Sequence, residues 1–118
     1  MLYRKAELLY ATNMQDTLYK LFSTIQGRKG ADPEKSYVAK LMSRGVAKIA
    51  KKVGEEGVEV AIAAVDADKD ATIRESADLL FHLMILWSVM NINPDDVTKE
   101  LERREGVSGI DEKNKRIW

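Results

Sequence analysis

The sequence predicts an all-α protein built as a single domain. Apolar residues recur with the 3.6-residue period of a helix along most of the chain. Alternating β-branched runs bounded by turn dipeptides, which mark strands, are missing. The two prolines, Pro33 and Pro94, each follow a residue that commonly caps a helix, so both stand at expected helix starts. We therefore expect an antiparallel helical bundle of about five helices.

The predicted helices follow one another with short connections. Periodicity and capping signals place them at residues 14–28, 33–44, 46–66, 71–91 and 94–104. Residues 1–13 are expected to form a further helix or an irregular arm. Residues 105–118 are expected to form a tail rich in glycine and charge. No repeat or linker divides the sequence, so we expect one domain over residues 1–118 with its core at 14–104.

Missing residue types narrow the possible chemistry. The chain has no cysteine, which excludes disulfides, thiolate zinc sites, iron–sulfur clusters and a cysteine nucleophile. Its one histidine, His82, cannot form a multi-histidine metal site within one chain. The longest apolar run, from Leu79 to Val89, is too short to cross a bilayer, and we recognise no secretory signal. The expected location is the cytoplasm, without a membrane partner.

The formal net charge is zero, which provides no overall attraction to nucleic acid. The charges are nevertheless segregated, with a surplus of basic side chains in residues 1–52 and of acidic side chains in residues 53–102. This pattern fits either ordinary solvated helix surfaces or a site that combines metal-binding acids with anion-binding bases.

Two acidic pairs interrupt the apolar faces of consecutive predicted helices. At about 100° per residue, Glu56 lies at the edge of an apolar stripe and Glu59 follows on the same side. Glu75 and Asp78 share a face of the next helix. The stripe is expected to comprise Val46, Ile49, Ala50, Val53, Val60 and Ala64. Because a short connection makes these two helices antiparallel neighbours, the four carboxylates are expected to converge.

Carboxylates on a buried face require compensation, because an unpaired buried charge is costly. Three arrangements would avoid this cost: the acids are exposed, they pair with Lys or Arg, or they bind a cation. Because two apolar stripes are interrupted, a cation is a serious possibility. Oxygen donors without sulfur favour Mg²⁺ or Mn²⁺. Di-iron chemistry is disfavoured, because di-iron bundles need a second histidine. His82 is expected to support the site without ligating the metal.

Basic residues precede the acids at helical spacing. A magnesium site that keeps waters usually serves a polyphosphate. We therefore expect a phosphate-rich substrate to be bound by Lys40, Arg44, Lys48 and Lys52, although each could equally be a surface residue that confers solubility.

The fourth predicted helix is apolar on nearly all sides beyond Asp78. A helix with this pattern needs cover from several directions. In a chain of this length we expect a second copy of the protein to supply part of that cover.

The segments from Ser36 to Ala64 and from Glu75 to Leu86 resemble the phosphoribosyl-ATP pyrophosphatase family, within the all-α nucleoside triphosphate pyrophosphatase superfamily. The superfamily signature, E-E-x-x-E followed by E-x-x-D, is matched by Glu55, Glu56, Glu59, Glu75 and Asp78. The blocks S-Y-x-x-K-L, K-K-V-G-E-E and A-D-L-L-x-H and the tail GVSGIDEKNKR also resemble this family.

The resemblance implies hydrolysis of phosphoribosyl-ATP to phosphoribosyl-AMP and pyrophosphate, the second step of histidine biosynthesis. It also implies Mg²⁺, an intertwined homodimer and water attack between the α- and β-phosphates. The implied metal ligands are Glu56, Glu59, Glu75 and Asp78. Glu55 would orient or deprotonate the water, next to Glu56, and the four basic residues named above would contact phosphates. Gly57 stands where the family usually has alanine. Because the acids are intact, this difference is expected to affect stability before activity.

Two other functions remain open from the sequence. A house-cleaning pyrophosphatase of the same superfamily would act on free or damaged nucleoside triphosphates. The S-Y-x-x-K-L block and the C-terminal motif favour the histidine-pathway enzyme over it. A non-catalytic helical oligomerisation module would have the same acids merely exposed.

Overall fold

The computed structural model describes residues 13–105, and this part of the chain contains five helices and no strand. The helices are α1 (Met14–Gly27), α2 (Tyr37–Ser43), α3 (Val46–Val65), α4 (Lys69–Val89) and α5 (Pro94–Arg104). The all-α prediction is confirmed. The predictions for the N-terminal arm and for the tail beyond Glu105 lie outside the described residues. Within those residues, no helix combines the length and hydropathy needed to cross a bilayer.

Side-chain caps set the starts of four helices. A side-chain oxygen accepts a hydrogen bond from a backbone N–H of the first turn at Asn13, Ser36, Asp68 and Asn93. Such caps satisfy N–H groups that have no partner within the helix. At α5 the predicted Asn93-Pro94 start is confirmed, with a reciprocal capping box. At α4 the cap at Asp68 starts the helix two residues earlier than the periodicity predicted.

The prediction that the second helix starts at Pro33 is wrong. Asp32 does begin a turn, because its Oδ1 accepts from the N–H of Glu34 at 2.9 Å and its carbonyl accepts from the N–H of Ser36. The turn does not continue, since Ser36 has an extended backbone (φ −136°, ψ 121°) and its hydroxyl caps Ala39. Asp32-Pro33 therefore marks a single turn, and α2 begins after Ser36.

The helices α3 and α4 form a tight antiparallel hairpin, and they pack together more extensively than any other described pair. Residues 66–68 connect them. The N–H groups of Ala67 and Asp68 donate to the carbonyls of Ala64 and Ala63, with Ala67 at φ 55°. This is the Schellman arrangement, which satisfies the last carbonyls of a helix and reverses the chain.

The apolar core lies near the start of α3. Its buried residues come from four helices and are Phe22, Ile25, Val38, Leu41, Ile49, Met84 and Ile85. Ile49 lies seven residues before Glu56, and Ile85 lies seven residues after Asp78. The antiparallel hairpin therefore places these acids between the core and the α3–α4 turn.

The buried face of α3 differs from the predicted stripe. Its buried residues are Ile49, Glu56 and Ala63, which are spaced seven apart. Val46, Ala50 and Ala64, which the stripe included, are exposed. The stripe was drawn through apolar residues alone, whereas the face that meets α4 is centred on a carboxylate. Glu56 thus lies at the middle of the contact face and not at its edge.

Candidate metal and phosphate site

Three carboxylates from two helices meet at the α3–α4 contact. Glu56, Glu75 and Asp78 each offer one oxygen, and these oxygens lie within 4.8 Å of one another. We call these three residues the acidic triad. Glu75 and Asp78 are one helical turn apart on α4 and face Glu56 across the hairpin. At this spacing the acidic triad could hold one metal ion.

The surroundings of the acidic triad fit a hard cation. Glu56 is only 5% exposed, and its Oε2 is buried with no hydrogen-bond partner. The Oε2 of Glu75 is in the same condition. Buried carboxylate oxygens without partners are rare, because their desolvation is not offset. A cation between the two helices would offset it, and the donors are all oxygens, which hard cations prefer.

Glu59, the fourth predicted ligand, lies beside the acidic triad without joining it. The close carboxyls of Glu75 and then of Glu56, together with repulsion from their charges, raise the pKa of Glu59 to about 7. Glu59 therefore takes up a proton more readily than an ordinary glutamate, while the sequence placed it among the ligands.

Lys52 compensates the buried charge of Glu56. Its Nζ lies 3.1 Å from Oε1 of Glu56 and 3.9 Å from Oε2 of Glu55. Burial acts to raise the pKa of Glu56, but the hydrogen bond from Lys52, the neighbouring carboxyl of Glu59 and the charge of Lys52 lower it overall. The hydrogen bond with Glu56 correspondingly raises the pKa of Lys52. Both groups of this ion pair are therefore charged at neutral pH.

A cavity of ≈ 290 Å³ adjoins the acidic triad at the α2–α3 corner. Its lining includes four cationic side chains, and we call it the basic cavity. The lining residues are Tyr37, Leu41, Arg44, Lys48, Lys51, Lys52 and Glu55. Lys52 belongs to the basic cavity and also pairs with Glu56, so the two parts of the site are in contact. A concave surface with this charge suits a phosphate-rich anion.

The basic cavity includes three of the four predicted phosphate-binding residues. Arg44, Lys48 and Lys52 line it, whereas Lys40 does not. Lys51 was not among the predicted phosphate-binding residues, although its spacing of three from Lys48 places both on one side of α3. Glu55 lines the basic cavity close to Lys52, so this exposed acid of the signature also faces the site.

His82 has both ring nitrogens in hydrogen bonds. Its Nδ1 lies 2.7 Å from the backbone carbonyl of Asp78, and its Nε2 lies 2.8 Å from the hydroxyl of Tyr37. A carbonyl only accepts, so Nδ1 donates, and the neutral ring accepts from Tyr37 at Nε2. The expected supporting role of His82 agrees with this geometry. Tyr37 was not singled out in the sequence, although it is the aromatic residue of the S-Y-x-x-K-L block.

Comparison with known proteins matches the chain to one family and to relatives that carry the corresponding name. The family described as phosphoribosyl-ATP pyrophosphohydrolase matches residues 18–105. The phosphoribosyl-ATP pyrophosphatase of Azospirillum brasilense is 60% identical over 99 residues, which cover 84% of this chain and 89% of the relative. The one from Paramagnetospirillum magneticum is 52% identical over 99 residues, covering 84% and 91%. The one from Erythrobacter litoralis is 48% identical over 101 residues, covering 86% and 97%. The family match includes the acidic triad and the basic cavity.

Proposed function

This chain belongs to the phosphoribosyl-ATP pyrophosphohydrolase family, and from that premise we propose that it hydrolyses phosphoribosyl-ATP to phosphoribosyl-AMP and pyrophosphate. That reaction is the second step of histidine biosynthesis. The observation that supports it most is the contact between the acidic triad and the basic cavity through Lys52 and Glu56. A metal–polyphosphate substrate needs both kinds of surface next to each other.

We assign the cation to the acidic triad with Glu59 beside it, and we propose Mg²⁺, with Mn²⁺ as the alternative. The all-oxygen donors and the two unpartnered buried oxygens support this assignment. When bound, the cation would neutralise charge on the reacting phosphates. A bound cation would favour the ionised form of Glu59, which would then add a carboxylate beside the acidic triad.

The remaining catalytic and binding roles follow from position. Glu55 lines the basic cavity and is exposed, which suits it to orient or deprotonate water for attack between the α- and β-phosphates. Glu56 is the carboxylate next to it in the signature, and it forms the shorter of the two ion pairs with Lys52. Arg44, Lys48, Lys51 and Lys52 hold the phosphates. Lys40 lies outside this lining and is left with an outer, weaker contact.

We propose that two copies of the chain form a homodimer. One face of α3 carries an exposed apolar row at helical spacing, which we call the α3 apolar row: Val58, Ala61, Ile62 and Val65. Ile62 is 56% exposed and Val65 is 86% exposed. Contiguous apolar surface of this kind is typical of protein interfaces. Ile62→Asp is expected to produce monomers in sedimentation, while Val46→Asp, an exposed valine outside the row, is expected to remain dimeric. Wild-type protein that sediments as a monomer at micromolar concentration would contradict the dimer.

The activity is tested by a product assay with Mg²⁺. Phosphoribosyl-ATP, ATP and dCTP are compared for pyrophosphate release, and phosphoribosyl-ATP is expected to be strongly preferred. Preference for ATP or dCTP would instead support a house-cleaning pyrophosphatase. No hydrolysis of any substrate, together with no Mg²⁺ binding in calorimetry, would support a non-catalytic module.

The role of the carboxylates is tested by Glu56→Gln. This variant is expected to abolish turnover with little change in helicity, because the amide preserves shape and removes charge. Glu34→Gln, an exposed acid in the turn before α2, is the matched control and is expected to keep full activity. Wild-type kcat in Glu56→Gln at saturating Mg²⁺ would overturn the assignment.

A further inference from the structure

Glu56 uses its two oxygens for different purposes. Oε1 lies 3.1 Å from the ammonium of Lys52, while Oε2 is buried without a partner. The carboxylate is 5% exposed and belongs to the acidic triad. Lys52 also lines the basic cavity, and its side chain is 35% exposed there. One carboxylate therefore connects a permanent ammonium on one side with the cation position on the other.

This arrangement creates a conflict between two positive charges. A cation held by the acidic triad shares Glu56 with Lys52, and like charges across one carboxylate repel. The repulsion opposes cation binding as long as the charge of Lys52 is compensated only by Glu56 and by the more distant Glu55. A di- or triphosphate in the basic cavity brings negative charge directly to Lys52. The cost of binding the cation then falls.

We propose that Lys52 couples the acidic triad to the basic cavity, so that a divalent cation and a polyphosphate bind with positive cooperativity and each alone binds weakly. This inference rests on the proposed function, because it takes the acidic triad as the cation site and the basic cavity as the phosphate site. Coupling is reciprocal, so the cation strengthens anion binding by the same factor by which the anion strengthens cation binding. The site thus selects a metal–polyphosphate complex over either component.

Calorimetry on the wild type, Lys52→Met and Lys48→Met tests the coupling. The first probe is Mn²⁺ alone. Lys52→Met is expected to bind Mn²⁺ about tenfold more tightly, since removing a unit charge next to a dication has about this effect even with water-like screening. Lys48→Met is the matched control. Lys48 lines the same cavity but has no ion pair with Glu56 in the described part of the chain, so its Mn²⁺ affinity is expected to stay at the wild-type value.

The second probe compares inorganic pyrophosphate alone with its Mn²⁺ complex. Formation of that complex in solution is the same for every variant, so it cancels when variants are compared. The wild type and Lys48→Met are expected to keep the same preference for the complex over free pyrophosphate, although Lys48→Met binds both more weakly. In Lys52→Met this preference is expected to stay at the wild-type value, while Mn²⁺ alone binds about tenfold more tightly. The coupling factor, which is proportional to the preference divided by the affinity for Mn²⁺ alone, is therefore expected to fall about tenfold.

The outcomes separate this inference from the proposed function. If Mn²⁺ binds the wild type and Lys52→Met equally, the coupling is overturned and the metal site stands. If Mn²⁺ binds neither of them, the metal site itself is wrong and the coupling falls with it. If circular dichroism shows that Lys52→Met is unfolded, Lys52→Gln replaces it with the same expectations. Its amide still donates to Oε1 of Glu56, so the carboxylate keeps a partner while the charge is removed.

Discussion

The hydroxyl of Tyr37 lies 2.8 Å from Nε2 of His82 and joins the first turn of α2 to the middle of α4. Through its other nitrogen, His82 donates to the backbone carbonyl of Asp78, a member of the acidic triad. Tyr37 also lines the basic cavity. A single imidazole therefore connects the wall of the basic cavity to the backbone that carries a carboxylate of the acidic triad.

The hydrogen bond of Tyr37 is expected to stabilise the fold. Tyr37→Phe leaves Nε2 of the buried His82 without a partner, which is expected to cost about 1–2 kcal/mol in the free energy of unfolding. Urea unfolding followed by circular dichroism measures this. Tyr19→Phe is the control, because the Tyr19 hydroxyl has no hydrogen bond within residues 13–105, and its effect is expected to be smaller. Equal losses in the two variants would show that the ring, and not the hydroxyl, matters.

Replacing Gly57 in α3 is expected to raise the free energy of unfolding. Glycine inside a helix costs about 0.5–1 kcal/mol relative to alanine. A Cβ at position 57 meets no atom within 4 Å, so no close approach among the described residues requires glycine. Gly57→Ala is expected to stabilise the protein by that amount in urea unfolding. Gly45→Ala is expected to destabilise it, because Gly45 has φ 89° and ψ 169°, which favour glycine. Destabilisation by Gly57→Ala would indicate that another surface covers this position.

Glu59 is expected to make the metal-free fold less stable as the pH rises. Its pKa is about 7 in the fold, above the ordinary glutamate value of 4.5, so between these pH values the folded state binds more protons than the unfolded state. The free energy of unfolding therefore decreases across this interval and does not recover above it. The measurement is the melting temperature in the presence of a chelator. The difference between Glu59→Gln and the wild type is expected to increase in favour of the variant from pH 4.5 to 7 and then to level off. Glu34→Gln is the control, and a difference independent of pH in Glu59→Gln would contradict this role.

Lys51 is expected to contribute more to substrate binding than Lys40. Lys51 lines the basic cavity, whereas Lys40 does not. Lys51→Gln is expected to raise the KM for phosphoribosyl-ATP about tenfold, as expected for loss of one charge-assisted contact to phosphate. Lys40→Gln removes the same charge from an exposed position and is expected to change KM much less. Steady-state kinetics at fixed Mg²⁺ measures both, and the reverse order would place the phosphates nearer α2.

Local signals in the sequence predicted some helix starts and not others. Asn93-Pro94 starts α5 as expected, because Asp96 completes a capping box with Asn93. Asp32-Pro33 carries the same local signal but produces one turn only, since Ser36 caps a later start and the helix that follows buries Val38 and Leu41. Which of two local signals begins a helix therefore depends on tertiary packing, which a single sequence does not display.

The acids of the site were predictable because each is a charge within an apolar pattern. Glu56, Glu75 and Asp78 interrupt faces that otherwise look buried, and the short turn 66–68 places those faces together. Lys51 and Tyr37 could not be identified in the same way. Both residues line the basic cavity because of how α2 lies against α3. The hydrophobic periodicity of either helix does not indicate this packing.

The three-residue turn between α3 and α4 also has a consequence for folding kinetics. Glu59 and the whole acidic triad belong to this one hairpin, whose contacts are close in sequence and so are expected to form early. We expect this hairpin to form the folding nucleus before α1 adds its part of the core. Repulsion between the carboxylates then slows the formation of that nucleus. We expect Mg²⁺ to speed refolding in stopped-flow experiments, with Na⁺ at matched ionic strength as the control, and equal rates would contradict this. The hairpin that carries the acidic triad would then also be the segment from which the protein folds.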